Sequence, residues 1–313
     1  MNALAVVLEK PEQLILSHLD LTPPGAADVV VDIEWSGIST GTERLLWSGR
    51  MPMFPGMGYP LVPGYESVGR ISAVGADANH QVGERVFVPG ANCFGPVRGL
   101  FGGAAARLVV AGARALPIDE QLGEKGVLFA LAATAYHVTS TPGARQPDLI
   151  IGHGVLGRML ARLAVVAGAP PPVVWETNPG RRAGADGYVV LDPAADARRD
   201  YHCICDVSGD GSLLDTLVGR LAPGGEIVLA GFYEAPLAFN FAPAFMREAR
   251  LRVAAQWQPG DLAAVKQLAE SGRLSLDGLI THRRAAALAD EAYRTAFGDP
   301  ACLKMILDWR NCT

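Results

Sequence analysis

The fold turns on residues 147–176, PDLIIGHGVLGRMLARLAVVAGAPPPVVWE. A short apolar run, Leu149–Ile151, leads straight into Gly152-His153-Gly154-Val155-Leu156-Gly157. Apolar residues then recur at helical spacing through VLGRMLARLAVVAGA, and a second apolar run, Val173–Trp175, ends on Glu176. Strand, glycine turn, helix and strand in that order make a βαβ unit. Gly152 permits the tight turn, Gly154 lets the backbone approach a phosphate, and Gly157 lets helix and strand pack closely.

The start of that helix, with the backbone of Val155 and Leu156, would turn its positive end toward a pyrophosphate. Glu176 lies 19 residues past Gly157, where a carboxylate accepts ribose hydroxyls and repels a 2′-phosphate. The expected ligand is therefore a nicotinamide dinucleotide, NAD in preference to NADP. Arg181 and Arg182 follow closely and would favour NADP if they turned inward. The motif does not demand the His153 side chain, which is expected to face solvent or the phosphates.

Outward from this segment the texture differs on each side. Residues before about 120 are glycine- and proline-punctuated and β-rich, with strands expected in ADVVVDIEWSGIS, ESVGRISAVGA and GERVFVPG. A helix is expected between Glu120 and Val138. After Glu176 strands and helices alternate through YHCICDVSG, SLLDTLVGRL and GGEIVLAGF, which implies a parallel sheet. Half of the 313 residues are hydrophobic and 19% are charged, enough for two cores. No apolar run is long enough to cross a bilayer, and the N-terminus lacks a signal-peptide layout, so a cytoplasmic protein is expected. A net charge of −5 argues against nucleic acid as a partner. The five cysteines include no CxxC pair; Cys203 and Cys205, within an apolar strand, read as core thiols.

Further segments carry a family resemblance. Gly37-Ile38-Ser39-Thr40-Gly41-Thr42-Glu43 resembles the GICGTD segment of the medium-chain dehydrogenase/reductases, with one extra residue. Val62-Pro63-Gly64-Tyr65-Glu66-Ser67-Val68-Gly69 resembles their PGHEGVG, and Thr134-Ala135-Tyr136-His137 their TAYH. Pro223-Gly224-Gly225 and Gly278–His282 match later landmarks. The resemblance implies an α/β protein with a β-rich GroES-like catalytic domain, residues 1–133 completed by 258–313. A doubly wound Rossmann domain, residues 134–257, is inserted before the C-terminal tail.

The departures concern the metal. Thr40 replaces the zinc cysteine, Leu45 stands where a histidine is common, and Tyr65 replaces the zinc histidine. Glu66 alone remains, and one carboxylate cannot hold zinc, so no metal is expected. SGISTGTERLLWSG and MPMFPGMGYPLVPGYESVG narrow the resemblance to the hydroxyethyl-bacteriochlorophyllide dehydrogenases of photosynthetic bacteria. That implies NAD-dependent oxidation of a hydroxyethyl side chain on a tetrapyrrole to acetyl. Positive charge developing at the carbinol carbon would spread into the conjugated ring, which replaces part of the metal's Lewis acidity.

On this reading Tyr65 meets the substrate hydroxyl, Glu66 orients it or acts as base, and Thr42 occupies the proton-relay position. Met51, Met53, Phe54, Met57 and Tyr59, in a loop without helical period, are candidates for an apolar wall against a flat macrocycle. A subunit contact or a self-packed loop is the competing account. The LRVAAQW strand at 251–257 would suit sheet extension across a homodimer. Two other functions stay open: a zinc-independent quinone or enone reductase, and a non-catalytic dinucleotide-binding protein.

Overall fold

The computed structural model describes residues 1–312 as two compact units. One comprises Met1–Ala130 and the chain from Leu276 onward; the other is Leu131–Ser275. The return to the first unit thus falls at Leu276, not at 258. The reason is local: the helix Pro259–Glu270 is tied into the second unit through Asp261. Its carboxylate takes His137 Nδ1 at 2.8 Å and Ser140 Oγ at 3.3 Å.

The first unit is β-rich. Its long central strand, Asp28–Ile38, pairs antiparallel with Ser67–Val74 on one side. On the other it pairs first with Arg107–Ala111 and then, near its end, with Met305–Asp308. Val29, Val30, Val31 and Ile33 are buried on this strand, so both its faces are covered. The register Met305↔Ile38 brings the far end of the chain beside the turn that follows this strand. One core gathers the valines with Tyr293, Met305, Leu307 and Trp309. A smaller apolar cluster forms around Leu8, Leu45, Leu46, Met51, Leu61 and Leu100.

The second unit holds a six-stranded sheet, every neighbouring pair parallel. In space the strands run Val189–Leu191, Val173–Trp175, Leu149–Ile151, Tyr201–Asp206, Leu221–Leu229 and Arg250–Val253. Numbered by sequence that order is 3-2-1-4-5-6, the doubly wound arrangement. The order reverses between Leu149–Ile151 and Tyr201–Asp206, and ligands bind beyond the carboxyl ends of strands at such a switch point. Cys203 and Cys205 are buried in the sheet as expected.

The apolar stretch before the switch point is only partly α-helical. Residues Glu120–Leu128 form 3-10 turns broken at Gly123, whose φ of 49° and ψ of −130° are not helical. The α-helix proper is Phe129–Ser140.

Candidate active site

The glycine loop follows strand Leu149–Ile151 and opens the helix Val155–Val166. Gly152 has φ +101°, a conformation side chains disfavour. A Cβ on Gly157 would sit 1.9 Å from Gly152 O, so glycine there is a packing requirement. A Cβ on Gly154 would meet nothing within 4 Å, so the backbone faces open space where the pyrophosphate is expected. The backbone N–H groups at this helix start thus fit a dinucleotide. Glu176 is buried at the end of strand Val173–Trp175. Its two oxygens accept from His153 N–H at 3.1 Å and Asn178 N–H at 2.8 Å. Each retains a lone pair for a ribose hydroxyl.

His153 is where expectation fails. Its side chain is fully buried, facing neither solvent nor phosphate. Nδ1 lies 2.6 Å from Arg181 O and Nε2 2.8 Å from Tyr188 Oη. Burial outweighs these contacts and lowers its pKa to about 4. Arg182 donates to Glu176 O at 2.8 Å and to the Asp192 carboxylate, so its guanidinium is committed within the fold.

In the first unit, the turn after Ile38 gathers three hydroxyls. Tyr65 Oη lies 2.7 Å from Ser39 Oγ and 3.2 Å from Thr42 Oγ1. Thr42 Oγ1 is also 3.4 Å from Ser39 Oγ. Thr42 opens the short helix Thr42–Ser48 and is partly exposed, as is Tyr65. The Tyr65 ring packs edge-on against Phe101, centroids 5.4 Å apart. Burial first, then the negative charge of Glu66, pushes the Tyr65 phenol well above its ordinary pKa. It is thus a neutral hydroxyl, able to relay a proton but not held as phenolate.

Glu66 does not orient Tyr65. Its Oε2 lies 2.6 Å from Lys304 Nζ, and both side chains are fully buried. Lys304 Nζ also donates to Ile38 O at 3.2 Å. Glu66 Oε1 has no hydrogen-bond partner among the described residues. Burial raises the Glu66 pKa against the opposing pull of Lys304. An ion pair thus fills this corner, and Glu66 is tied up in it. Tyr65 lies in the bend after Gly64, and Glu66 directly precedes strand Ser67–Val74, so the two neighbours take different partners.

A second buried carboxylate lies behind the hydroxyls. Glu43 Oε1 accepts from Ser39 N–H at 2.9 Å, and Oε2 from Tyr293 Oη at 2.7 Å. Its burial raises the carboxyl pKa to about 7. Lys304 and Tyr293 were not legible as site residues, since each lies far along the chain from its partner. A lysine directly before the apolar run MILDW was the one available signal.

The methionine-rich loop is largely self-packed. Met51 is buried in the small apolar cluster, and Phe54, Met57 and Tyr59 pack partly buried against it. The Tyr59 hydroxyl donates to Leu46 O. Met51 is therefore no substrate contact; it fills the gap between Leu45, Leu61 and Leu100. Met53, 80% exposed, is the one of these five side chains that the loop leaves to solvent. Among the described residues no group of three or more His, Cys, Asp or Glu is placed to hold a metal ion.

A GroES-like sheet completed by the chain's end, a 3-2-1-4-5-6 nucleotide fold and a hydroxyl cluster define a medium-chain dehydrogenase/reductase. Residues 25–120 match the alcohol dehydrogenase GroES-like domain. The chain is 60% identical over 312 residues to the 2-desacetyl-2-hydroxyethyl bacteriochlorophyllide A dehydrogenase of Rhodobacter capsulatus, covering 99% of each. It is 59% identical over 315 residues to the protein of that name from Cereibacter sphaeroides, again covering 99% of each. The chain belongs to this family of bacteriochlorophyllide dehydrogenases. The fold is also that of an Escherichia coli alcohol dehydrogenase solved with NADH: TM-score 0.83, 22% identity, 98% of this chain and 99% of that one covered.

Proposed function

We propose that this protein oxidises the hydroxyethyl side chain of a bacteriochlorophyllide to an acetyl group, with NAD as acceptor, in the cytoplasm. The observation that carries the reading is 60% identity, spread over 99% of both chains, to a relative named as a hydroxyethyl bacteriochlorophyllide dehydrogenase. A nicotinamide dinucleotide suits the glycine loop, and the choice of NAD rests on Glu176.

When bound, the dinucleotide supplies the acceptor for the hydride that leaves the carbinol carbon. The chain's own residues handle the proton. The substrate hydroxyl donates to Tyr65 Oη while Tyr65 donates to Ser39 Oγ, 2.7 Å away. Ser39 passes its own proton to Thr42 Oγ1, 3.4 Å away, and Thr42, partly exposed, passes its proton to water. The Lys304–Glu66 pair shapes the turn that presents Ser39 and takes no proton. Met53, with the partly exposed faces of Phe54 and Met57, offers the macrocycle an apolar contact. A second copy of the chain is proposed to pair along the open edge of strand Arg250–Val253. Support comes from Val253, 77% exposed on that edge, and from Phe241, Phe245 and Met246 at 65–76% exposure.

The test is spectroscopic. Acetyl conjugation with the ring should shift the long-wavelength absorption band to the red as NADH appears. An inert hydroxyethyl bacteriochlorophyllide, with ready turnover of a small aliphatic alcohol or an enone, would overturn the proposal.

A further inference from the structure

His153 occupies the first variable position of the glycine motif, whose chemistry needs only backbone there. A fully buried imidazole at this place therefore calls for another explanation. Its Nδ1 faces a carbonyl, Arg181 O, so Nδ1 carries the hydrogen. Nε2 is then the acceptor for the Tyr188 hydroxyl, and the ring is neutral with both nitrogens used. The two rings meet edge-on, centroids 5.6 Å apart.

The same residue touches Glu176 through its backbone: His153 N–H donates to Oε2. One residue thus holds the ribose carboxylate with its main chain and the segment beyond that carboxylate with its side chain. Arg158, one turn into the following helix and also buried, adds to the tie. Its guanidinium donates to His153 O at 3.0 Å, and to Arg181 O and Ala183 O at 2.9 Å each. Between Glu176 and strand Val189–Leu191 the segment has a single 3-10 turn, Pro179–Arg181. Side chains from the glycine loop and its helix therefore add to the segment's own ties, Arg182 to Glu176 O and to the Asp192 carboxylate.

We propose that His153 is a positioning residue for cofactor choice: through Tyr188 and Arg181 O it holds the 176–188 segment to the glycine loop. This keeps the Glu176 carboxylate from withdrawing before a 2′-phosphate. The inference rests on the NAD reading above. Discrimination of this kind depends on a repulsive group that cannot move aside. A carboxylate held by two backbone N–H groups meets that condition while its anchors hold. The ring's low pKa, about 4, keeps it neutral and the tie intact near neutral pH.

The experiment is fluorescence titration of NADH and NADPH into the wild-type protein, His153→Gln and Tyr188→Phe. Thermal melts are run alongside. Wild type should prefer NADH. Each variant should lose about threefold to tenfold of that preference, the range one lost hydrogen bond supports. NADH should weaken while NADPH holds steady or tightens. Tyr188→Phe removes only a hydroxyl and decides the matter if His153→Gln does not fold. Variants that melt earlier but keep the wild-type ratio would make the tie purely structural and overturn the proposal. A wild-type preference for NADPH would instead overturn the NAD reading beneath it.

Discussion

Replacing Lys304 by Met tests how the buried pair beside the hydroxyl cluster is held. The methionine keeps most of the side-chain length and removes the charge. In the native structure Lys304 and Glu66 are 1% and 0% exposed, with Nζ and Oε2 2.6 Å apart. Removing one member of such a pair leaves an uncompensated buried charge, at a cost of about 3–5 kcal/mol. Glu66 is poorly placed to find a substitute, because its other oxygen already lacks a partner. With a urea dependence of about 2–3 kcal/mol/M, the unfolding midpoint should fall by about 1–2.5 M. The loss should depend on pH. Burial already raises the Glu66 pKa, and without the lysine it rises further. A folded state that keeps a proton the unfolded chain releases is stabilised at acid pH. Stability then falls as pH climbs from the ordinary carboxylate value through the raised one. Lys304→Met should therefore be closest to wild type in acid and furthest from it at neutral pH. Combining it with Glu66→Leu should recover much of the loss, since no charge is then left unpaired. Urea titrations across pH 5–8 provide the assay. A neutral-pH cost below about 1 kcal/mol, or a loss that grows in acid, would refute the account of the pair.

Two further outcomes follow from the site and the sheet edge. Tyr65→Phe keeps the ring against Phe101 and removes the relay hydroxyl, so turnover should fall about 10²–10⁴-fold with NADH affinity unchanged. Unaltered turnover in steady-state assays would remove Tyr65 from the proton route and leave Thr42 or water to take the proton directly. Val253→Lys places a charge on the exposed edge strand and should shift a dimer to monomer in sedimentation velocity. A wild-type protein that sediments as a monomer at micromolar concentration would remove the edge-pairing proposal.

Much of the nucleotide unit was legible because its instructions are local. The tight turn at Gly152, the contact at Gly157 and the carboxylate at Glu176 lie within one βαβ stretch, where short-range sterics decide the backbone. Strand and helix periodicities around it were read for the same reason, apart from the 3-10 turns before Phe129. The hydroxyl pair Tyr65 and Thr42 could be named from their motifs and does meet in space. What lies behind the hydroxyls, and what Glu66 pairs with, depended on pairings between distant parts of the chain. Lys304 reaches Glu66 across 238 residues, and Tyr293 reaches Glu43 across 250. Neither pairing leaves a periodic trace, because each is set by strand register and helix packing at the far end of the chain. Met51 and His153 were misplaced for a related reason. A methionine in an irregular loop and a histidine between glycines look exposed until leucines of neighbouring elements pack over the one and Arg181 O and Tyr188 meet the other. The sequence alone determined the class of fold, the glycine loop and the chemical types available at the site. Only the tertiary structure decided which of those groups are committed to one another and which remain to meet a substrate, because burial and ion pairing belong to the packed chain.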